Sequence, residues 1–294
     1  MRFNIAALAT LGLVATAAVS AVPTSLKASG ATVSAQAIVP GKHFNRVFIV
    51  IFENTSFDEV YNDPYFKQLA DQGLLLTNFY AITHPSQPNY IALTYGSTGG
   101  VTSDSNYNIS GKSIVDLLEA KGVSWKAYQE KYPGGCSKTS SSSTYRRKHN
   151  PFISYVNVQN NAAWCAKIVN SNQLSTDLAN NAVPQFSFYT PDMNNDAHDT
   201  DIPYASNWLQ GFLPSLLNDP NLSQDTAFVL TFDEDDKSQG NQIYTAILGK
   251  GVTPGTTDDT QYTHYSLLRT IEDNFELGNL GRNDASAPLI SSLV

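Results

Sequence analysis

The sequence predicts an α/β fold in three layers, with a mostly parallel central sheet between helices. Residues 46–52 (RVFIVIF) form a run of β-branched and aromatic residues, which is typical of a parallel strand buried on both faces. After that run, strand-like segments alternate with helix-like segments, and this alternation places helices on both faces of one sheet. No internal repeat or change of composition follows, so we expect a single domain over residues 41–294.

The remaining strands are predicted from apolar runs, and the helices from helical periodicity with start and stop signals. The helix at 113–121 shows these signals well, since Ser113 can cap its first turn and Gly122 ends it. The other predicted helices span residues 57–72, 88–95 and 265–277. The other predicted strands span residues 74–82, 124–128, 185–189, 227–232 and 242–248.

The first 40 residues predict export rather than a folded element. Arg2 precedes an apolar run over residues 5–19, and the small residues at 19–21 suit cleavage by signal peptidase. We therefore expect a signal peptide over residues 1–21, a flexible lead-in over residues 22–40, and a secreted, extracellular protein. The alternative is a short membrane anchor, but the run is short and no basic stop-transfer cluster follows it.

The two cysteines and the glycosylation sequons fit an exported protein. Cys136 and Cys165 are expected to form a disulfide, with zinc binding as the alternative. The bond would close a loop in the polar region 132–181, which we expect to be an insertion over one edge of the sheet. N-linked glycans are expected at Asn108 and Asn221.

The charge balance limits the partners that the protein can have. The chain carries 18 Lys and Arg residues against 26 Asp and Glu residues, for a formal net charge of −8. A surface this acidic repels nucleic acids and anionic membranes, so neither is expected as a main partner. An anionic substrate would be repelled as well, unless a local cation offsets the field.

Polar side chains directly follow most of the predicted strands. Because the carboxyl ends of parallel strands meet at one edge of a sheet, we expect these residues to converge. They are Glu53, Asn54, His84, Ser86, Asp192, Asp196, His198, Asp233, Glu234 and His264. Each has an alternative explanation, such as a solvated turn for the acidic run 233–236 or a capping role for His264. The convergence of five segments favours a functional site.

The residue types in this set suit phosphoryl chemistry. Hard divalent cations prefer oxygen ligands, and four of these residues supply them: Glu53, Asn54, Asp233 and Glu234. Such a cation would neutralise the acidic cluster and bind a phosphoryl oxygen. Ser86 lies between Pro85 and Pro88 at a predicted helix start, where backbone N–H groups favour an anion. Beside a metal it could act as a nucleophile, and the alternative is a helix cap.

Six motifs occur in order along residues 46–281. They are FENTSFDEVY from residue 52, HPSQPNY from 84, RKHNPF from 147, TPDMNNDAHD from 190, TFDEDD from 231 and HYSLLRTIED from 264. Together they resemble the phosphoesterase family of the alkaline phosphatase superfamily, which contains secreted fungal acid phosphatases and bacterial phospholipases C. The segment from Ser86 to Gly96 is similar to the nucleophile turn of that superfamily.

The resemblance implies a role for each residue of the set. Ser86 would be the nucleophile of a phosphoserine intermediate, and the four oxygen donors named above would hold one divalent metal ion: Mg, Ca, Mn or Zn. Three histidines would bind phosphate oxygens or carry protons, namely His84, His198 and His264. The substrate-binding residues would be Asp192, Asp196 and Arg147. The basic run 146–149 would line the substrate entrance, and the alternative is a solvated surface turn.

The resemblance further implies an acid phosphatase that acts on small phosphate monoesters and scavenges phosphate outside the cell. Two alternatives stay open: a phosphodiesterase or phospholipase C of the same fold, and a catalytically silent secreted binding protein. A phospholipase C should carry an apolar lipid-facing surface, which the sequence does not show. A silent protein should lack the nucleophile or the metal ligands, and all of them are present.

Overall fold

The computed structural model describes residues 1–2 and 37–293. The expected signal peptide over residues 1–21 and most of the lead-in over residues 22–40 therefore lie outside the described residues. No helix in the described part of the chain is long and apolar enough to cross a bilayer. The segments described from residue 37 onward pack around one hydrophobic core.

The described residues contain twelve strands. They are β1 (Arg46–Phe52), β2 (Leu74–Leu76), β3 (Phe79–Tyr80), β4 (Trp125–Gln129), β5 (Ser141–Ser142), β6 (Tyr145–Arg146), β7 (Ile168–Asn170), β8 (Phe186–Thr190), β9 (Thr226–Phe232), β10 (Thr245–Gly249), β11 (Thr256–Asp258) and β12 (Tyr262–Thr263). Eight of them form the central sheet, in the order β11-β2-β10-β9-β1-β8-β4-β7. Within this sheet only β10 is antiparallel to its neighbours, which confirms the mostly parallel prediction.

Nine α-helices and three short 3₁₀ helices complete the described chain. The α-helices are α1 (Phe57–Asn62), α2 (Pro64–Gln72), α3 (Ser86–Tyr95), α4 (Ile114–Lys121), α5 (Val156–Gln159), α6 (Ala162–Cys165), α7 (Gln173–Ala179), α8 (Ile202–Leu217) and α9 (His264–Asn274). The 3₁₀ helices are Arg147–His149, Pro151–Ser154 and Asn283–Ser286.

Strand β1 lies at the centre of the sheet and is covered on both faces. The ring of Phe48 packs 6.5 Å from that of Phe212 in α8. Ile49 faces the other side and pairs in register with Phe188 of β8, whose ring lies 6.4 Å from that of Tyr90 in α3. Because side chains alternate along a strand, α8 and α3 cover opposite faces of the sheet. The helices and the sheet therefore form the three predicted layers.

Two predicted elements are each divided in the structure. The segment 57–72 forms two helices, α1 and α2, because Pro64 has no N–H with which to continue the first helix. Asp63 caps the second helix, and its side chain accepts the N–H groups of Tyr65 and Phe66 at 2.9 and 3.0 Å. The segment 74–82 likewise contains two short strands, β2 and β3, which belong to different sheets.

Helix α8 was not predicted from the sequence. Its sixteen residues include Gly211 and Pro214, which both disfavour a helix interior and obscure the pattern. The helix forms because Leu209, Leu213 and Leu216 recur on one face, and all three are buried.

The polar region 132–181 takes part in the sheet and does not merely cover its edge. Strand β7 lies within it and pairs in parallel with β4 as the outermost strand. The predicted disulfide is confirmed, since Cys136 and Cys165 are bonded with their Cα atoms 5.5 Å apart. The region also contains the 3₁₀ turn Arg147–His149, which carries basic side chains toward the carboxyl edge of the sheet.

Glu272 is a buried carboxyl group whose oxygens accept no hydrogen bond from a donor among the described residues. It lies in α9 near Asp284, which is itself buried and accepts the N–H groups of Leu280 and Arg282. Burial, and then the charge of Asp284, raise the pKa of Glu272 from 4.5 to about 8, against the opposing charge of Arg269. The folded protein therefore holds this group protonated at neutral pH.

The raised pKa of Glu272 predicts a stability that falls as the pH rises. In the unfolded chain Glu272 releases its proton near its ordinary pKa of 4.5, whereas in the folded protein its pKa is about 8. Its contribution to the free energy of unfolding is therefore complete below the first pKa and is lost progressively as the pH rises to the second. Glu272→Gln should therefore lose less unfolding free energy than the wild type between about pH 5 and about pH 8. Denaturant unfolding across that range measures the difference. The exposed Glu59→Gln serves as control, and equal pH slopes in wild type and Glu272→Gln would contradict the prediction.

Candidate active site

Ser86 is the first residue of α3, which begins two residues earlier than predicted. Pro85 before it is extended, and Pro88 lies in the first turn, where its missing N–H removes no helical hydrogen bond. The side chain of Asn89 holds this turn, because its Oδ1 accepts the Thr83 N–H at 3.1 Å and its Nδ2 donates to the Thr83 carbonyl at 2.7 Å. Ser86 is thereby fixed at a strand-to-helix turn.

The hydroxyl of Ser86 lies among charged groups of both signs. Its Oγ is 2.9 Å from Glu53 Oε2 and 3.2 Å from Glu234 Oε1, so it can donate its proton to either carboxyl group. Lys148 Nζ lies 3.4 Å from the same oxygen. A serine between proton acceptors and a cation, at a helix N-terminus, has the environment of an activated nucleophile.

Glu53 follows β1 directly and is fully buried. Its Oε1 accepts a hydrogen bond from the Tyr90 hydroxyl at 2.6 Å and forms an ion pair with His149 Nε2 at 3.0 Å, although the hydrogen-bond angle of that pair is poor. Burial alone would raise the pKa of Glu53, but the charges of His149 and Lys148, with the Tyr90 hydroxyl, lower it to about 2. Glu53 is therefore ionised despite its burial.

His149 is held between two acidic groups. Its Nδ1 lies 3.4 Å from Asp196 Oδ2, on the side opposite Glu53. Burial would lower the pKa of His149, but Glu53 and Asp196 raise it to about 9. Burial raises the pKa of Asp196 to about 7, against the attraction of His149. These neighbours favour the protonated imidazolium form of His149, whose single charge offsets part of the acidic cluster from within.

Asp233 and Glu234 follow β9 and complete the cluster. Asp233 Oδ1 accepts the N–H groups of Asn54 at 3.2 Å and Glu234 at 2.7 Å, whereas its buried Oδ2 has no partner among the described residues. Burial, then Glu53 and Glu234, raise the pKa of Asp233 well above its ordinary value. Burial and Glu53 raise the pKa of Glu234 to about 7, with His84 opposing them. Asn54 has a φ of 48°, in the left-handed region that asparagine tolerates.

His84 and His198 both reach the surroundings of Ser86. His84 Nδ1 lies 2.5 Å from Glu234 Oε2. His198 Nε2 lies 3.1 Å from Lys148 Nζ, and its Nδ1 lies 2.9 Å from Asp199 Oδ1. Both side chains are partly exposed, so both can meet a ligand that enters from solvent.

His264 contacts the main chain next to the cluster, and its Nδ1 has no hydrogen-bond partner among the described residues, so its contact with phosphate stays a prediction. It is fully buried, and its Nε2–H donates to the main-chain carbonyl of Asp233 at 2.7 Å. Burial lowers the pKa of His264 to about 4, so the ring is neutral. Its position supports the main chain that follows β9.

The basic turn Arg147–His149 presents each side chain in a different direction. The Arg147 guanidinium donates to the main-chain carbonyls of Lys138 at 3.2 Å and Tyr107 at 2.8 Å. Arg147 is therefore a structural anchor, which corrects its predicted role in substrate binding. The residue that reaches Ser86 is the neighbouring Lys148. Burial would lower its pKa, but Glu53 and Asp104 raise it, so the ammonium is charged.

The two predicted aspartates after β8 also differ. Asp196 belongs to the cluster through His149. Asp192 instead organises its own loop: its Oδ2 accepts the Thr144 hydroxyl at 2.7 Å, and its Oδ1 accepts the N–H groups of Asn194 and Asn195. The structure therefore does not place Asp192 in contact with Ser86.

Comparison with known proteins gives both a family and a fold for this chain. A family model described as the phosphoesterase family covers residues 61–278. The chain belongs to the phosphoesterase family. Among solved structures, a protein of the alkaline phosphatase superfamily from Vibrio parahaemolyticus shares the fold, with a TM-score of 0.55 and 17% identity over 85% of this chain and 71% of that one.

Curated relatives of this phosphoesterase include two fungal proteins. A probable acid phosphatase from Kluyveromyces lactis is 40% identical over 90% of this chain and 66% of its own length. The phosphate-repressible acid phosphatase of Penicillium chrysogenum is 40% identical over 86% of this chain and 64% of its own length. The chain thus spans slightly less than two thirds of these relatives. A phosphatidylinositol-3-phosphatase from Mycobacterium tuberculosis is 32% identical over 84% of this chain and 82% of its own length.

The donor set of this phosphoesterase fits a hard cation. Among the described residues, no three His, Cys, Asp or Glu side chains already stand in the arrangement of a metal site. The carboxyl groups of Glu53, Asp233 and Glu234 are nevertheless buried next to one another, and Asp233 Oδ2 lacks a partner. Carboxylates packed in this way repel one another, and a divalent cation removes that repulsion. The metal ligands remain a prediction.

Three residues of the site received no individual role from the sequence: Tyr90, and Lys148 and His149, which were considered only as part of the basic run 146–149. All three lie inside the motifs HPSQPNY and RKHNPF, so the motifs contained the signal. They received no role of their own because they do not follow a predicted strand directly. Tyr90 reaches the site from the second turn of α3, and the other two arrive on a turn of the 132–181 region.

The buried ion pair predicts unequal effects for two histidine substitutions. His149→Ala leaves Glu53 as a buried charge without its cation, so the unfolding free energy should fall by about 3–5 kcal/mol. His198→Ala removes a partly exposed side chain and should cost less than about 1 kcal/mol. Denaturant unfolding of both variants at mildly acidic pH measures these values. Equal losses in the two variants would show that His149 does not compensate the buried charge.

Proposed function

We propose that this phosphoesterase is a secreted acid phosphatase that hydrolyses phosphate monoesters through a phosphoserine intermediate with the help of one divalent metal ion. The observation that carries the proposal is the position of Ser86 Oγ, which contacts Glu53, Glu234 and Lys148 at the start of a buried helix. A hydroxyl in that position has a proton acceptor and a cation within reach, at the N-terminus of a helix.

The reaction proceeds in two displacements. Ser86 Oγ attacks phosphorus and gives its proton to an adjacent carboxylate, while the bond between phosphorus and the ester oxygen breaks. The leaving alcohol takes up a proton from the side of the site that is partly exposed to solvent, where His84 and His198 lie. Water then attacks the phosphoserine, and Ser86 Oγ regains a proton as inorganic phosphate leaves. The carboxyl cluster beside Ser86 supplies the proton acceptors for both displacements.

The metal would be held by Glu53, Asn54, Asp233 and Glu234, all of which lie at the carboxyl ends of β1 and β9. When bound, a hard cation acts as a Lewis acid that stabilises the charge on the phosphoryl oxygens. The chain's own residues orient these ligands: Tyr90 and His149 fix Glu53, and the N–H groups of Asn54 and Glu234 fix Asp233. Oxygen donors suit Mg, Ca, Mn or Zn.

The names of the relatives support a monoesterase that works outside the cell. Both fungal relatives are named as acid phosphatases, and one of them as phosphate-repressible, a property expected of an enzyme that scavenges phosphate. The disulfide fits an oxidising compartment, and Asn108 and Asn221 are exposed where glycans would need them. Small phosphate esters are therefore the proposed substrates.

Ser86→Ala should lose turnover by on the order of 10³-fold or more while the fold is retained, because it deletes the nucleophile and leaves a small side chain in its place. Hydrolysis of p-nitrophenyl phosphate, with bis(p-nitrophenyl) phosphate as the diester, measures the loss and distinguishes a monoesterase from a diesterase. Exposed Ser175→Ala is the control, and thermal melting reports on the fold. Activity of Ser86→Ala within a few-fold of wild type would refute the nucleophile assignment.

Asp233→Asn should lose both bound metal and turnover, since it keeps the shape of the side chain and removes the charge that a cation needs. Elemental analysis of the purified variant, paired with its activity, tests both losses at once. Asp236→Asn is the matched control, because Asp236 lies in the same acidic run and is exposed. If Asp233→Asn keeps its metal content and its turnover, Asp233 is not a ligand.

A further inference from the structure

Asp104 bridges two hydrogen-bond donors that adjoin Ser86. Its Oδ1 accepts the backbone N–H of Gln87 at 3.0 Å, and its Oδ2 lies 3.2 Å from Lys148 Nζ. Gln87 follows Ser86 in the chain, and Lys148 Nζ is 3.4 Å from Ser86 Oγ. The carboxylate of Asp104 therefore occupies a pair of donors directly beside the proposed nucleophile.

These donors lie on anchored segments, whereas Asp104 lies on an exposed one. Gln87 lies in the first turn of α3, a ten-residue helix that is buried along its whole length. Lys148 lies between two anchored neighbours, since Arg147 donates to main-chain carbonyls and His149 is paired with Glu53. Asp104 lies in an exposed bend outside any helix or strand. The donors thus belong to anchored segments, and their present acceptor belongs to an exposed segment.

The two donors suit a phosphoryl group as well as they suit the carboxylate that now accepts from them. A backbone N–H at a helix N-terminus and an ammonium group are both common ligands of phosphate oxygens. The side-chain amide of Gln87 adds capacity, because it is buried and neither polar atom has a partner among the described residues. A tetrahedral anion carries more acceptor oxygens than a carboxylate and could use these donors together.

We propose that Lys148 and the backbone N–H of Gln87 form the phosphate-binding subsite beside Ser86, and that Asp104 is an internal competitor that a phosphoryl group displaces. The proposal rests on the proposed function, because it assumes that a phosphate ester is the ligand at Ser86. Lys148 then supplies the local cation that a protein of net charge −8 needs in order to attract an anion. Asp104 lowers the apparent affinity of the subsite for a phosphoryl group, because the ligand must displace Asp104 each time it binds.

Two substitutions should shift phosphate affinity in opposite directions. Asp104→Asn keeps a hydrogen-bond acceptor for Gln87 but removes the competing charge, so inorganic phosphate should bind about three- to tenfold tighter. Lys148→Met keeps the length of the side chain but removes the charge-assisted hydrogen bond, so binding should weaken about tenfold or more. Titration calorimetry with inorganic phosphate on the full chain measures both. Lys148→Arg, which keeps the charge, should bind more tightly than Lys148→Met.

Control substitutions distinguish a local effect on phosphate binding from the long-range effect of a changed net charge. Asp259→Asn and Lys250→Met make the same changes of net charge at exposed positions, and each should leave the phosphate affinity within about twofold of the wild type. Thermal melting identifies any variant that fails to fold. If Lys148→Met does not fold, the phosphate affinity of Lys148→Arg tests the role of the lysine instead.

Two results would overturn the proposal. Weaker phosphate binding by Asp104→Asn would show that Asp104 positions Lys148 and does not compete with the ligand. Wild-type affinity in Lys148→Met, with an intact melting transition, would remove Lys148 from the subsite. The proposed function fails separately: if the variants shift phosphate affinity as expected while the wild type hydrolyses no monoester, the subsite stands and the catalytic assignment falls.

Discussion

The structure depends on one electrostatic constraint, which is the burial of several carboxyl groups at a single edge of the sheet. Glu53, Asp196, Asp233 and Glu234 meet there, and all four have little or no exposure to solvent. Burial of this kind is strongly unfavourable unless each charge is compensated or the group is protonated. The protein uses both routes, since His149 supplies a cation inside the cluster and the remaining groups have raised pKa values.

The topology explains how these groups come together. Strand β1 lies between β8 and β9 and is parallel to both, so the residues that follow the three strands meet at one edge. Helix α3 brings Ser86 to the same place, with its N-terminus directed at the carboxyl groups. The basic turn of the 132–181 region approaches from another part of the chain and places Lys148 and His149 among them. The strand ends supply negative charge, and the basic turn supplies the positive charge that offsets part of it.

The residues that the structure brings together at Ser86 are mostly those that the sequence places at strand ends. Glu53 and Asp233 follow strands, and Ser86 begins a helix. Such positions can be located from the hydrophobic periodicity of the sequence and from its turn residues. The sequence could not distinguish Arg147 from Lys148, because adjacent side chains on a short turn point in directions that only the folded surroundings determine. The complete burial of His264 could not be predicted for a related reason, since its position after a strand did not reveal that it would bond the main chain of Asp233.

Two elements with a weak or conflicting local sequence pattern could also not be predicted from the sequence. Helix α8 contains Gly211 and Pro214, so its helical character emerges only when its leucine face meets the sheet. The edge strand β7 has three residues and lies in a polar stretch, and a run that short carries almost no periodic signal. In both cases tertiary packing outweighs local preference.

The complete burial of α3 has a consequence for how such an enzyme can diversify. Every side chain of that helix packs against the interior, so a change that alters its shape disturbs the core together with the chemistry. The bend that carries Asp104 is solvent-exposed and tolerates replacement at little cost to folding. Substitutions in such surface bends can therefore change the surroundings of Ser86, while the buried helix keeps Ser86 itself in place.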